Sequence, residues 1–486
     1  MTNKKFKLAA MSLATAVAVS TVGPSASAVT YYLGNGDITV DQDENRGAYS
    51  YQGEDGKRTY VNEDEADKGT IYVKDGNAPT EDVLPSTDTS DNGTEVPTPT
   101  DNAAQSTDAS GNNTENSSTS ETTTGNTITV MENVKKTDKT DGTEGNDVKI
   151  VVDGVNVDTS TQTEALPDTG STGDKTIIKV GEGADVDLTV KNSNLTTGGH
   201  GIDIGVNLED KDENKGADVD LTLDHTKVNL TQNGKAGINV QDNSNVDLTL
   251  KGENAIDGSK ATEKENILTK RVNVEGIRVG DGGAGDGSGT SEGAKTHLTI
   301  SGGVEKTETA DADTEETESP AGGSLTISKT TGGLVMAVGS DVEITHGADV
   351  TIEDTKTSSS TQAGRAVTQH GDLTLSGGSS LTIDGVKDNK APHTGIGIAS
   401  WDDITVEDGS TLDISGAATG IYGHQGSDAS LTVKDSTLNI SDVKKAIEYE
   451  GAGVDKEGKA LKSAGDITFE KAKVNIYDRK QRYFFH

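Results

Sequence analysis

The chain has no cysteine in 486 residues. Disulfides, thiol chemistry and thiolate metal sites are therefore excluded. Aromatic residues make up 3%, with a single Trp and four Phe, and hydrophobic residues only 30%. A thick globular core is out of reach on that composition. Positive charge is scarce too: 43 Lys and Arg face 81 Asp and Glu, a net charge of −38. Phosphate contacts need a basic face, so nucleic acid and anionic membrane surfaces are excluded as partners. Low hydrophobicity with high charge is also the composition of disordered chains. That reading fails wherever apolar and polar residues alternate strictly, and such stretches recur along most of the sequence.

What is present is a repeat. GADVDLT occupies 183–189 and again 216–222. From Asp220 the unit reads DLTL (220–223), KVNL (227–230), GINV (237–240), then DLTL at 247–250. Each piece alternates with period two, as a strand with one buried face does. The first strand recurs as DLTV (187–190), DVEI (341–344), DLTL (372–375), DITV (403–406), SLTV (430–433) and DITF (466–469). A second strand follows seven or eight residues later. A third is marked by Gly or Ala before an apolar residue: Gly201-Ile202, Gly237-Ile238, Gly276-Ile277, Gly395-Ile396, Gly420-Ile421 and Ala446-Ile447. Uninterrupted spacing is 27 residues, from Leu221 to Leu248 and from Ile404 to Leu431. Three short strands per unit predict an all-β solenoid of stacked parallel coils about 4.8 Å apart. Thr and Asn should then form polar ladders, as at Thr189, Thr222 and Thr249 or Asn439 and Asn475. Regular Gly at the corners should supply backbone freedom for the bends.

This pattern resembles the right-handed parallel β-helix proteins of the pectin-lyase-like group. It is most similar to their non-catalytic relatives, the repeat-rich, adhesin-like surface proteins secreted by bacteria. The resemblance covers about residues 126–478. It implies a right-handed coil and a role in binding a glycan or a host or cell-surface protein.

Taken in order, residues 1–28 read as a secretory signal. Lys4, Lys5 and Lys7 form its basic start, 8–22 its apolar stretch, and Ala26-Ser27-Ala28 its small-residue cleavage site. Its removal would take the net charge to −41 (−38 − 3). No other segment is long and apolar enough to span a bilayer. The expected location is extracellular, at the bacterial surface. Residues 29–76 hold six of the ten Tyr, and GDITV at 36–40 matches the first-strand motif. They are read as an N-terminal cap or first coils. Residues 77–125, rich in Ser, Thr, Asn and Asp, are read as a disordered linker or loop. Residues 126–478 form the β-helix, opening with NTITV (126–130) and VKIVV (148–152), with polar insertions near 158–173, 206–215, 258–270, 280–294, 305–321, 354–364, 385–394 and 450–464. Residues 479–486 are a basic, aromatic C-terminal tail.

Four motifs suggest chemistry and are weighed against plainer readings. Gly199-His200-Gly201 matches an element of polygalacturonases, which also place an Asp pair upstream and Arg-Ile-Lys downstream. Here the adjacent Asp pair at a strand start, Asp402-Asp403, lies far downstream, and Arg-Ile-Lys is missing. His200 then merely precedes a repeat glycine, and Asp203, alternating with Ile202 and Ile204, should face solvent. Pectate lyases need clustered acids with a basic proton abstractor, and Arg271, Arg278 and Arg365 stand alone. The run 281–287 departs from the calcium nonapeptide, because Gly287 falls where Asp is required. Leu166-Pro-Asp-Thr-Gly170 spells a wall-sorting signal, but polar residues and 300 further positions follow it. The sequence therefore predicts no catalytic, cofactor-binding or metal-binding residues, no cofactor, and a non-catalytic binding protein. The alternative is a polysaccharide lyase or glycoside hydrolase.

Overall fold

The computed structural model describes residues 29–42, 49–52, 58–60, 70–76, 124–134, 148–165, 172–208, 215–261, 274–280, 295–306, 318–320, 322–356, 364–386, 395–424, 429–449, 465–478 and 481–485. Apart from one 3-10 turn, Leu33–Asn35, every regular element among them is a strand. Residues 1–28, read as a secretory signal, most of 77–125, the run 166–170, the nonapeptide-like run and most of the insertions lie outside the described residues.

The strands form three long parallel sheets, and the chain is a parallel β-helix. One coil runs Asp218–Asp224, Lys227–Leu230, Lys235–Val240, and the next begins at Asn245–Lys251. Each strand pairs with its counterpart one coil on. Asp218–Asp224 lies in register on Asn245–Lys251, Leu221 on Leu248. The first sheet has twelve strands. The second has eleven, ending in an antiparallel pairing of Lys473–Asp478 with Gln481–Phe485. The third has thirteen, beginning with the antiparallel strands Tyr49–Gln52 and Arg58–Tyr60 beside Ile38–Gln42. At about 4.8 Å per strand the first sheet is a wall roughly 55 Å long.

The core is a column of stacked Leu, Ile and Val. Leu188, Leu221, Leu248 and Ile300 form one row, each fully buried. Each such side chain removes about 1.5–3 kcal/mol worth of apolar surface from water. The ladders expected on the outside are there: Thr189, Thr222 and Thr249 pair in sequence, and Asn475 Nδ2 donates to Asn439 Oδ1 at 2.7 Å.

Four expectations need correction. GDITV at 36–40 belongs to the third sheet, where Ile38, Thr39 and Val40 pair with Ile128, Thr129 and Val130. The first sheet begins instead with Val29–Tyr32 on Thr70–Lys74. Second, the first-strand motif slips by two residues partway along. Leu248 stacks on Ile300, and Ile300 on Ile344, so Val246 rather than Leu248 shares a row with Val342. A shift of two keeps inward residues inward, and the alternation alone cannot detect it. Third, Ile421 pairs with Ile398, so Gly397 rather than Gly395 is the repeat glycine of that coil.

Fourth, the repeat glycines supply space rather than a bend. A Cβ on Gly201 would sit 2.5 Å from the Gly237 carbonyl oxygen and 2.6 Å from Val228 Cγ1. On Gly276 it would meet Ile327 Cγ2 at 2.3 Å and the Gly333 oxygen at 2.5 Å. None of these glycines has positive φ. The coil is so thin here that second-sheet side chains touch the third-sheet backbone. The row is not glycine throughout: fully buried Ala366 occupies it in mid-sheet between Gly333 and Gly397, and Ala446 on the last strand.

The third sheet differs from the first in burial. Asp218–Asp224 alternates between exposed and buried residues. Lys235–Val240 and Val274–Val279 are buried almost throughout. The segments outside the described residues adjoin this sheet repeatedly: 262–273 and 281–294 flank Val274–Val279, and 357–363 and 387–394 precede Arg365–Gln369 and Ile396–Ser400.

Candidate functional site

His200 sits at the entry to a third-sheet strand and is 9% exposed. Its Nδ1 accepts the Ala236 N–H at 3.0 Å, which places the ring proton on Nε2. Burial is the main cause that pushes its pKa down to about 4, so the ring is neutral at pH 7. Asp203 is 7% exposed, contrary to the solvent-facing expectation. Its Oδ1 accepts from Asn239 Nδ2 at 2.8 Å and Gln241 Nε2 at 2.9 Å. The alternation rule failed because it assumes one wet face. Two coils on, fully buried Glu275 is held by Arg278 Nε. This is a hydrogen-bonded polar layer on a sheet buried on both sides, in which Asn239 Oδ1 and Glu275 Oε1 are left without a hydrogen-bond partner among the described residues.

The stronger constellation lies at the corner between the third and first sheets, farther along the rod. Arg365–Gln369, Ile396–Ser400 and Thr419–Gly423 are neighbours in the third sheet. Each ends on a ring: His370, Trp401 and His424. Register therefore stacks the rings. His370 and Trp401 have centroids 4.1 Å apart, Trp401 and His424 4.3 Å. Tyr422 meets His424 edge-on at 5.4 Å, and the Arg365 guanidinium lies 5.2 Å from the Trp401 ring centre. Both faces of the single Trp are covered, so the half-buried stack presents ring edges.

Acids follow one or two positions after the rings. Asp372 Oδ1 accepts the Asp403 N–H at 3.4 Å, and Asp403 Oδ1 accepts the Ser430 N–H at 3.1 Å and its hydroxyl at 2.6 Å. Asp341 in turn accepts the Asp372 N–H at 3.2 Å. Gly371 lets the chain turn between ring and acid, since a Cβ there would lie 1.7 Å from the Ser340 oxygen. Buried Gln369 donates through Nε2 to the Asp403 carbonyl at 2.5 Å, and the Ser400 hydroxyl to the Asp402 carbonyl at 2.6 Å.

One carboxylate oxygen from each of Asp372, Asp402 and Asp403 lies within 4.8 Å of the other two. Burial, and then the charges of Asp372 and Asp403, push the Asp402 pKa up to about 6. Burial and the Asp341 charge raise Asp372 as well. Burial, Arg365 and His424 lower His370 to about 4, leaving it neutral. Three such oxygens suit a hard cation or several hydroxyl donors. A carboxyl that holds its proton to about pH 6 also has the makings of a proton donor.

Asp402-Asp403, out of order for a polygalacturonase in the sequence, lies beside Asp372 in the structure. A signal was present: Asp341, Asp372 and Asp403 stand 31 residues apart, as do His370 and Trp401. A constant interval equal to one coil means vertical stacking. His200 and Arg278, near each other in the buried layer, take no part in this corner.

No family model matches the chain, and no curated protein matches it. Among solved structures it matches the gp42 tailspike of Acinetobacter phage vb_AbaP_AS12 at 8% identity with a TM-score of 0.21. The match covers 75% of this chain and 56% of the tailspike chain, so the chain spans little more than half that protein's length. So slight a likeness supports no argument, and the β-helix assignment rests on the strand pairing.

Proposed function

We propose that the protein is a secreted, surface-displayed β-helix rod that binds neutral or basic glycans without turning them over. The observation that carries this reading is the corner where the stack of His370, Trp401 and His424 adjoins Asp372, Asp402 and Asp403. Carboxylates accept hydrogen bonds from vicinal hydroxyls, and the positive edges of the rings favour sugar oxygens. A net charge of −38 disfavours polyuronates and other acidic glycans. Secretion rests on the signal-like residues 1–28. A glycan array tests the reading with wild type, Trp401→Ala and Asp402→Asn. Each substitution should weaken binding at least tenfold in protein that remains folded at the assay temperature. Binding that survives both would remove the corner from the function.

A second reading, glycoside hydrolysis, is favoured by Asp402 alone, whose carboxyl stays protonated to about pH 6. The close spacing of the three carboxylates suits a nucleophile-and-acid arrangement better than one with a water between. Reducing-end release that Asp402→Asn abolishes would replace the binding reading with this one. Unsaturated products would point instead to a lyase.

A further inference from the structure

Among the described residues only three large hydrophobic side chains are exposed, Val338, Ile467 and Phe469. Two of them share the strand Ile467–Glu470, the last of the first sheet. They are not surface residues by design. Ile467 continues the buried row of Leu373, Ile404 and Leu431, and Phe469 that of Leu375, Val406 and Val433. At 44% and 46% exposure they are a core cut open. Among the described residues the strand pairs with Leu431–Lys434 on one side only, and its other edge has no partner there. The neighbouring second sheet is closed by its antiparallel last strand.

We propose that this end of the rod docks on the same end of a second copy, about a two-fold axis, with the two Ile467–Glu470 strands paired antiparallel. Three observations favour a second copy in this arrangement. The opposite end of the rod is closed, Tyr31 and Leu33 being 1% and 0% exposed, so head-to-tail stacking would meet no open core there. Charge opposes contact less here than along the rod. Residues 465–478 carry Lys471 and Lys473 against Asp466, Glu470 and Asp478, a net −1 (2 − 3), on a chain of −38. Two copies therefore repel more along their lengths than at this end. Lastly, the patch is self-complementary, as an isologous contact requires. With Phe469 opposite its symmetry mate, Glu470 faces Thr468 and Lys471 faces Ile467, and no like charges oppose each other.

Sedimentation of the purified chain should reveal a concentration-dependent dimer and no larger species. Phe469→Asp should raise its dissociation constant at least tenfold without changing the monomer's melting temperature. Because the chain has no cysteine, Phe469→Cys gives one thiol, and directly opposed strand residues are within disulfide reach. Oxidation should trap a covalent dimer with Phe469→Cys and none with Val338→Cys. A chain that stays monomeric at all concentrations would overturn the proposal. So would a ladder of higher oligomers, which means head-to-tail growth. Loss of monomer stability in Phe469→Asp would also overturn it, since the patch would then be covered by the chain itself.

Discussion

His200 and Asp402 titrate in opposite directions across one pH window. The His200 pKa is depressed to about 4, so between pH 6.5 and 4 the unfolded chain takes up a proton that the native state refuses. Stability should therefore fall on acidification through that range, by on the order of 3 kcal/mol. Asp402 is raised to about 6, so between about pH 4 and 6 the native state holds a proton that the unfolded chain releases. Its contribution should fall as pH rises through that window, by about 1 kcal/mol or less once its partial exposure is discounted. His200→Asn keeps an acceptor for the Ala236 N–H and should flatten the acid loss. Asp402→Asn should raise the melting temperature slightly at pH 7 and leave it unchanged at pH 4. Denaturant melts at both pH values check this, and parallel curves for wild type and His200→Asn would refute the buried neutral imidazole.

Glycine near the mouth of several third-sheet strands, Gly201, Gly237 and Gly276 among them, lets the coil be thin there. A Cβ on Gly237 would sit 2.6 Å from Ile256 Cγ2 and 2.9 Å from the Gly276 oxygen. Gly237→Ala should cost about 1–3 kcal/mol, as overpacking of a tight core does. Ala446→Gly, on the last strand of the same sheet, should cost less than about 1 kcal/mol. Equal costs in thermal melts would restore the bending role that the sequence suggested. The same strands show what sequence pattern misses. Asp203 alternates correctly with Ile202 and Ile204, yet it is buried.

The rod as a whole should fail from the middle outward. Leu221 is fully buried between Leu188 and Leu248. Leu221→Asp places a charge in that column and should cost several kcal/mol. Because each coil is supported only by its neighbours, hydrogen exchange should speed up in Asp185–Lys191 and Asn245–Lys251 as well. Ile467→Asp, at the open end, should do little to the monomer. Damage from Leu221→Asp confined to its own strand would mean that the coils are not coupled as the pairing implies.

The sequence by itself determined the strands, their inward faces and the parallel stacking. Period-two alternation names the buried residue of each pair, and a repeat near 27 residues leaves only vertical stacking to satisfy the backbone. It also holds the 31-residue interval that stacks His370 on Trp401 and Asp372 on Asp403. Only the tertiary structure decided the rest. A two-residue slip between Leu248 and Val342 is invisible to a period of two. Whether an outward residue meets water depends on what lies over it, so Asp203 is buried while Asp372 and Asp403 are exposed. The raised pKa of Asp402 likewise arises from burial and the charges of residues brought to one corner. Neither exists until the coils are stacked.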